Sequence, residues 1–293
     1  MIADLKRPVL QPLRDSLFVE KQLDVSVLRL DTIHPFVSGN KLYKLKYNME
    51  AFQRSGKEYL VTFGGAYSNH IVATAAAGKA AGINTIGIIR GDELNESSNA
   101  RLRFASDCGM QLKFIPRDEY RQWRNDLKKE KGPFIAMDDA GYFLPEGGSN
   151  ELAVKGCMEI VNEIENDFGV ICCACGTGAT LAGISASLGD RQKAIGIAVL
   201  RGSKFLEDDI RKMNGGRNNL EVIHDYHFGG YAGKNNELEE FCRWFIETHS
   251  IAIEPLYTGR LFFALYKLAK KDFFTPQSKI VVVHTGGIFD VGS

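Results

Sequence analysis

The sequence predicts an α/β protein whose mostly parallel sheets are covered by helices on both faces. Three observations predict it. Strand-like apolar runs alternate with helix-like segments almost throughout, the strands are apolar without a polar face, and glycine-rich turns fall where strands give way to helices. The 293 residues are 44% hydrophobic and 25% charged, an ordinary globular composition, and a chain of this length often divides into two domains around a cleft.

The elements follow in order. Glu58 to Phe63 reads as a buried strand ended by Gly64-Gly65, and Ile71 to Ala81 as an alanine-rich helix stopped by Gly82. Asn84 to Arg90 is the next strand, with a helix opening near Ser97-Ser98 and ending at Gly109. Gln111 to Ile115, a helix from Arg117 to about Lys131 and a strand from Phe134 to Met137 continue the alternation. After the turn from Pro145 to Asn150, one long helix is expected to about Asn166, with Leu152, Cys157, Ile160, Val161 and Ile164 on its apolar face. Val170 to Cys175 is a short strand leading into a glycine loop, and a helix starts at about Ala179. Ala194 to Leu200, Phe241 to Thr248, Leu261 to Lys271 and Ile280 to Val283 complete the set. The glycine joint at 146–148 is the visible seam between two parts.

Charge excludes some partners. The 36 basic and 36 acidic residues balance, so nothing in the net charge favours nucleic acid or an anionic membrane. The first residues carry no apolar run resembling a signal-peptide core, and no apolar stretch approaches the ~20 residues that cross a bilayer. Six cysteines without a regular framework point to reduced thiols and a cytoplasmic setting. Cys172 and Cys175 have C-x-x-C spacing but sit inside an apolar strand, and His224 and His227 lack a metalloprotease pattern, so no metal is expected.

Four constellations could carry chemistry. In Ser38-Gly39-Asn40-Lys41-Leu42-Tyr43-Lys44, a lysine beside glycine and asparagine can be held against an aldehyde, with burial freeing its amine for Schiff-base chemistry. Lys44, one helical turn on, can meet a phosphate. A lysine there, taken alone, is more often a solvated helix start. Gly64-Gly65-Ala66-Tyr67-Ser68-Asn69-His70 joins a strand to a helix; Ser68 is a fair N-cap, and the free N–H groups there suit a carboxylate. Gly176-Thr177-Gly178-Ala179-Thr180 offers backbone N–H groups and two hydroxyls to a phosphate, yet lacks the Gly-Lys-Ser/Thr of a P-loop and the third glycine of a dinucleotide fingerprint. Last come Tyr257-Thr258, Tyr231 and Thr285, the last at the end of a very apolar strand.

Together, in this order, the motifs resemble the pyridoxal-5′-phosphate (PLP) dependent family that contains D-cysteine desulfhydrase and 1-aminocyclopropane-1-carboxylate (ACC) deaminase, within the type II, tryptophan synthase β-like fold. The likeness runs from about Leu13 to Gly287. It implies a two-domain type II PLP-enzyme fold: a large domain of residues 1–44 and 147–293, and a small domain of 45–146. It implies that Lys41 carries the cofactor while Lys44 and the loop Gly176, Thr177, Gly178, Ala179, Thr180 hold its phosphate. By the same resemblance, Asn40 would stand beside Lys41 and Asn69 would contact the 3′-oxygen, with Ser68, Asn69 and His70 around the substrate carboxylate and Lys41, Ser68, Tyr231 and Tyr257 as the catalytic candidates. Tyr257 would pack against the pyridine ring, and Thr285, with Thr258, would face the pyridine nitrogen.

ACC deaminases carry a glutamate directly after the ring-stacking tyrosine, where this chain has Thr258, and a leucine where it has Thr285. A neutral partner for the ring nitrogen suits β-elimination better than cyclopropane opening. The resemblance therefore implies β-elimination from a small amino acid, D-cysteine first, with ACC deamination, another type II lyase or racemase reaction, or a non-catalytic PLP-binding module as alternatives. It also implies a homodimer. The chain is shorter than typical members after Gly287.

Overall fold

The computed structural model describes residues 4–128, 139–200, 202, 205–229 and 235–289. The chain begins with β1 (Val9–Pro12), a short α1 (Ser16–Glu20) and β2 (Asp24–Arg29), which pairs antiparallel with β1. After α2 (Asn40–Ser55) come β3 (Tyr59–Gly65), α3 (Asn69–Ala81), β4 (Asn84–Arg90), α4 (Ala100–Asp107), β5 (Gln111–Ile115), α5 (Arg117–Lys128) and β6 (Gly141–Leu144). The remainder is α6 (Glu151–Met158), β7 (Val170–Cys175), α7 (Ala179–Ser187), β8 (Lys193–Ala198), α8 (Leu206–Met213), β9 (Leu220–Ile223), α9 (Asn236–His249), α10 (Thr258–Lys270) and β10 (Lys279–His284).

Two sheets result. A six-stranded sheet runs β1-β2-β10-β7-β8-β9, parallel except for β1, and a four-stranded parallel sheet runs β5-β4-β3-β6. All four strands of the smaller sheet lie within the segment 45–146. The apolar strands are buried on both faces because each face has its own core. Along β7, Cys172 and Ala174 pack with α9 and α10, while Ile171, Cys173 and Cys175 pack with α6, α7 and α8. Cys172 and Cys175 therefore point to opposite faces of the strand, which rules out a shared ion or a disulfide between them.

Helix boundaries follow local chemistry. Ser68 caps α3 by accepting from Ile71 N, and Gly82 ends it in the left-handed conformation that glycine adopts without steric cost. Asn99, Asn150 and Asn235 cap α4, α6 and α9 in the same manner as Ser68.

The structure adds β1, α1, β2, α8 and β9 to the expected elements and departs from them at two further places. The single helix to Asn166 is instead an α-helix ending at Met158 followed by a 3-10 segment, Glu159–Glu163. That tighter winding sets Glu159 against Lys46 and Tyr47 and Glu163 against Tyr43, so contacts with α2 override the apolar periodicity. The small sheet gains β6 at 141–144, where the sequence shows no alternation; the strand expected at 134–137 lies outside the described residues.

Candidate active site

The C-terminal ends of the parallel strands, where such sheets place their ligand-binding loops, converge on one cavity of about 710 Å³. Its walls include Lys41 and Lys44 from α2, Ser68 and Asn69 from the β3–α3 turn, Thr177 from the β7–α7 turn and Thr285 after β10. Residues far apart in sequence thus share a single chamber.

Lys41 is set by a close backbone crossing. Gly39 has φ +63°, and a Cβ there would stand 1.9 Å from the Thr285 carbonyl oxygen, so only glycine lets α2 start against the end of β10. Asn40 N–H donates to that same carbonyl at 3.3 Å. The Asn40 amide donates through Nδ2 to Thr180 Oγ1 at 2.8 Å and accepts from Lys41 Nζ at 2.7 Å, which holds the lysine at the cavity wall. Burial, assisted by the neighbouring Lys44 charge, pulls the Lys41 amine down to about 7.

Lys44 lies 3% exposed, and no carboxylate pairs with it among the described residues. Its Nζ donates to Gly147 O at 3.1 Å and to Thr177 Oγ1 at 3.4 Å. Ser149 Oγ donates to the same Thr177 hydroxyl at 2.5 Å. These groups surround the N-terminus of α7, whose first N–H groups have no partner within the helix and whose dipole favours an anion. Gly178, at φ +87°, turns the chain into that helix, and Ala179 is its first residue. A buried ammonium, hydroxyls and a free helix N-terminus together form an anion cradle.

At the start of α3, Ser68 and Asn69 line the cavity. His70 is buried; its Nε2 meets Thr62 Oγ1 at 2.7 Å, and Thr62 in turn donates to Leu144 O at 2.9 Å. The Thr62 hydroxyl therefore accepts, His70 is the Nε2–H tautomer, and its Nδ1 has no partner among the described residues. Burial, then the charges of Lys41 and Lys44, holds the imidazole well below its usual range and so neutral.

On the opposite side, Tyr257 and Thr285 line the cavity, and a Cβ on Gly176 would come within 3.3 Å of Tyr257 Cε1. Thr258 does not line it. This threonine is fully buried, accepts from Glu254 N at 3.0 Å and directs its hydroxyl toward Glu254 Oε1 at 3.2 Å. The Glu254 carboxylate accepts the N–H groups of Leu256, Tyr257 and Thr258 and so caps α10. Tyr231 lies outside the described residues.

Residues 10–286 match the model of the family described as pyridoxal-phosphate dependent enzyme. The chain belongs to the PLP-dependent enzymes. It is 30% identical, over 90% of its length and 85% of the relative's, to a Pyrococcus furiosus protein provisionally named ACC deaminase. It is 26% identical to the D-cysteine desulfhydrase of Klebsiella pneumoniae, covering 90% of this chain and 87% of that one. With the Arabidopsis thaliana mitochondrial bifunctional D-cysteine desulfhydrase/ACC deaminase it shares 28% identity, over 86% of this chain and 69% of that protein. Among solved structures, an ACC deaminase homologue superposes with a TM-score of 0.79 at 26% identity, covering 98% of this chain and 91% of the other. The fold is that of the type II PLP enzymes, and the protein is a PLP-dependent lyase or deaminase of the D-cysteine desulfhydrase and ACC deaminase family.

The donor set fits PLP. A phosphate answers the otherwise unpaired Lys44 ammonium, and an aldehyde suits an amine already lowered to about 7. Sequence reasoning missed Ser149 and the carbonyl of Gly147, although the polar, small-residue turn at 145–150 was a signal for them. It gave Glu254 no role, and no local pattern marks a carboxylate that caps a helix four residues on.

Proposed function

We propose that this PLP enzyme catalyses β-elimination from D-cysteine, giving pyruvate, hydrogen sulfide and ammonia with consumption of one water. One observation carries it: two lysines on one helix, a half-buried Lys41 whose amine is lowered to about 7 and a buried Lys44 beside the anion cradle, share a single cavity. Lys41 would bond to the cofactor, with Lys44, Thr177 and the N-terminal N–H groups of α7 holding its phosphate. When bound, PLP supplies an aldehyde that captures the substrate amine and an electron sink that makes the Cα proton acidic.

The remaining work falls to side chains. The start of α3, with Ser68, Asn69 and His70, attracts and orients the substrate carboxylate. Lys41 Nζ would accept the Cα proton, and its lowered pKa keeps a neutral amine available near pH 7. Ser68 and Tyr257, both on the cavity wall, assist proton movement toward the departing thiolate. Thr285, an uncharged group on the wall, would be the partner for the pyridine nitrogen, which would favour elimination. The division into domains 1–44 with 147–293 and 45–146 belongs to the same proposal, as do a homodimer and a cytoplasmic setting; the segregated sheets support the first.

The test is an assay of the purified, PLP-loaded protein against D-cysteine, ACC and a panel of D- and L-amino acids. Sulfide and pyruvate released in equal amounts from D-cysteine, with no 2-oxobutanoate from ACC, support elimination. Preferential turnover of ACC would move the protein to the deaminase side, and a bound cofactor with no turnover of anything would make it a binding module.

A further inference from the structure

We infer that Arg101 is a positioning residue for this reaction: it locks the carboxamide of Asn69 so that Nδ2 donates into the cavity. The inference rests on PLP as the cofactor and on Asn69 as its 3′-oxygen contact.

An asparagine amide is nearly symmetric in shape, and nothing in the side chain itself decides which end faces a ligand. Here a neighbour decides. Arg101 Nε donates to Asn69 Oδ1 at 3.2 Å, and a guanidinium only donates, so the oxygen is committed to the arginine side. The Nδ2 end lies along Gly287, where an added Cβ would approach it to 2.9 Å. Among the described residues Nδ2 has no acceptor, and Asn69 lines the cavity, so the donor is offered to whatever binds there. Reversed, the amide would set its oxygen against an anionic ligand atom.

Arg101 is itself fixed. Its Nη2 reaches Gly287 O at 3.5 Å, and its guanidinium lies 5.2 Å from the centre of the Phe289 ring. Asn99 caps α4 by accepting from Arg101 N and Leu102 N, and its Nδ2 donates to Ala66 O at 3.1 Å. The start of α4 is thereby tied to the loop that leads into α3. No carboxylate pairs with Arg101 among the described residues, so its full charge polarises the Asn69 amide and strengthens Nδ2 as a donor. Arg101 is not on the cavity wall, so it acts through Asn69 rather than on the ligand.

The experiment is a pH titration of the visible PLP band, without substrate, in wild type, Arg101→Met, Arg101→Lys, Asn69→Ala and the Asn69→Ala/Arg101→Met double variant. Losing a donor to the 3′-oxygen makes that oxygen more basic and holds its shared proton more tightly. The titration midpoint should therefore rise, by about one pH unit for a charge-assisted bond, in both Arg101→Met and Asn69→Ala. The double variant should move no further than Asn69→Ala alone, and Arg101→Lys, which keeps charge and a donor, should recover part of the shift. Additive shifts, an unmoved midpoint in Arg101→Met beside a moved one in Asn69→Ala, or no shift in Asn69→Ala would each overturn the inference. Because no substrate is present, the outcome is independent of whether D-cysteine is turned over. Should Arg101→Met fail to fold, Arg101→Lys alone and combined with Asn69→Ala decides it, since additive shifts in that double variant would refute the role.

Discussion

Two lysines on one helix, the half-buried Lys41 and the buried Lys44, are both pushed down by desolvation, and neither forms an ion pair with a carboxylate among the described residues. That arrangement costs stability when no ligand is bound, and the sign of its pH dependence follows. The folded Lys41 value of about 7 lies below the 10.5 of an unperturbed lysine, so the unfolded chain binds more protons between these values and stability rises with pH across that window. Relative to Lys41→Met, the urea midpoint of the cofactor-free wild type should climb between pH 7 and 9.5, a difference that isolates the lysine from the buried thiols, whose raised values act in the opposite sense; an equal slope in the two would show that the lysine is not strained. Lys44 offers a different readout. Lys44→Met removes a charged donor from the cradle, and equilibrium dialysis should show PLP affinity falling about 10- to 100-fold. Unchanged affinity would put the phosphate elsewhere. Removing the Lys41 amine should be more severe for turnover, about 10²- to 10⁴-fold, the range lost with a positioned acid or base, and Lys41→Ala should abolish the borohydride-sensitive visible band.

Helix α6 shows why some elements were legible from sequence and one was not. Strands β4, β5 and β7 match their expected bounds, because each is a short apolar-rich run bounded by glycine or proline; β7 is buried almost throughout, while Gln111 and Lys113 of β5 are exposed. The segment after Asn150 also has a helical apolar pattern, yet its second half winds as a 3-10 segment because Glu159 and Glu163 are held by residues of α2. Sequence periodicity carries no record of such a contact. Glycines explain the closeness of the packing: a Cβ on Gly156 would stand 1.9 Å from Tyr43 O, and one on Gly183 would stand 2.6 Å from Val154 O. Helix α6 is thus pressed between α2, which bears both lysines, and α7, which supplies the cradle. Gly156→Ala should gain helix propensity yet lose net stability by about 1–3 kcal/mol, since backbone must shift to admit the methyl group. Urea unfolding measures this, and a stabilised variant would mean that α2 yields without cost.

At the scale of the molecule, the sequence motifs named the cavity's main groups because each lies at the end of an apolar strand or the start of a helix, where local pattern is strongest. Lys41, Lys44, Ser68, Asn69, Thr177, Tyr257 and Thr285 all reach one chamber. Arg101, Ser149 and the capping role of Glu254 stayed hidden because their partners are set by tertiary approach, not by spacing. The chamber draws walls from loops of both sheets: Ser68 and Asn69 follow β3, while Thr177 and Thr285 follow β7 and β10. A ligand that fills it must therefore bind the native arrangement and not the unfolded chain, and it stabilises by mass action, about 2.7 kcal/mol at a concentration one hundred times its dissociation constant. For a chain of this size each kcal/mol raises the melting temperature by roughly 2 °C, so calorimetry at that loading should record a rise of about 5 °C with PLP. Pyridoxal, which has the aldehyde without the phosphate, leaves the Lys44 ammonium unanswered and should give a smaller rise at the same concentration. Inorganic phosphate alone should raise the melting temperature of wild type and not of Lys44→Met. Equal shifts with PLP and pyridoxal would mean that the cradle at α7 contributes nothing to holding the cofactor.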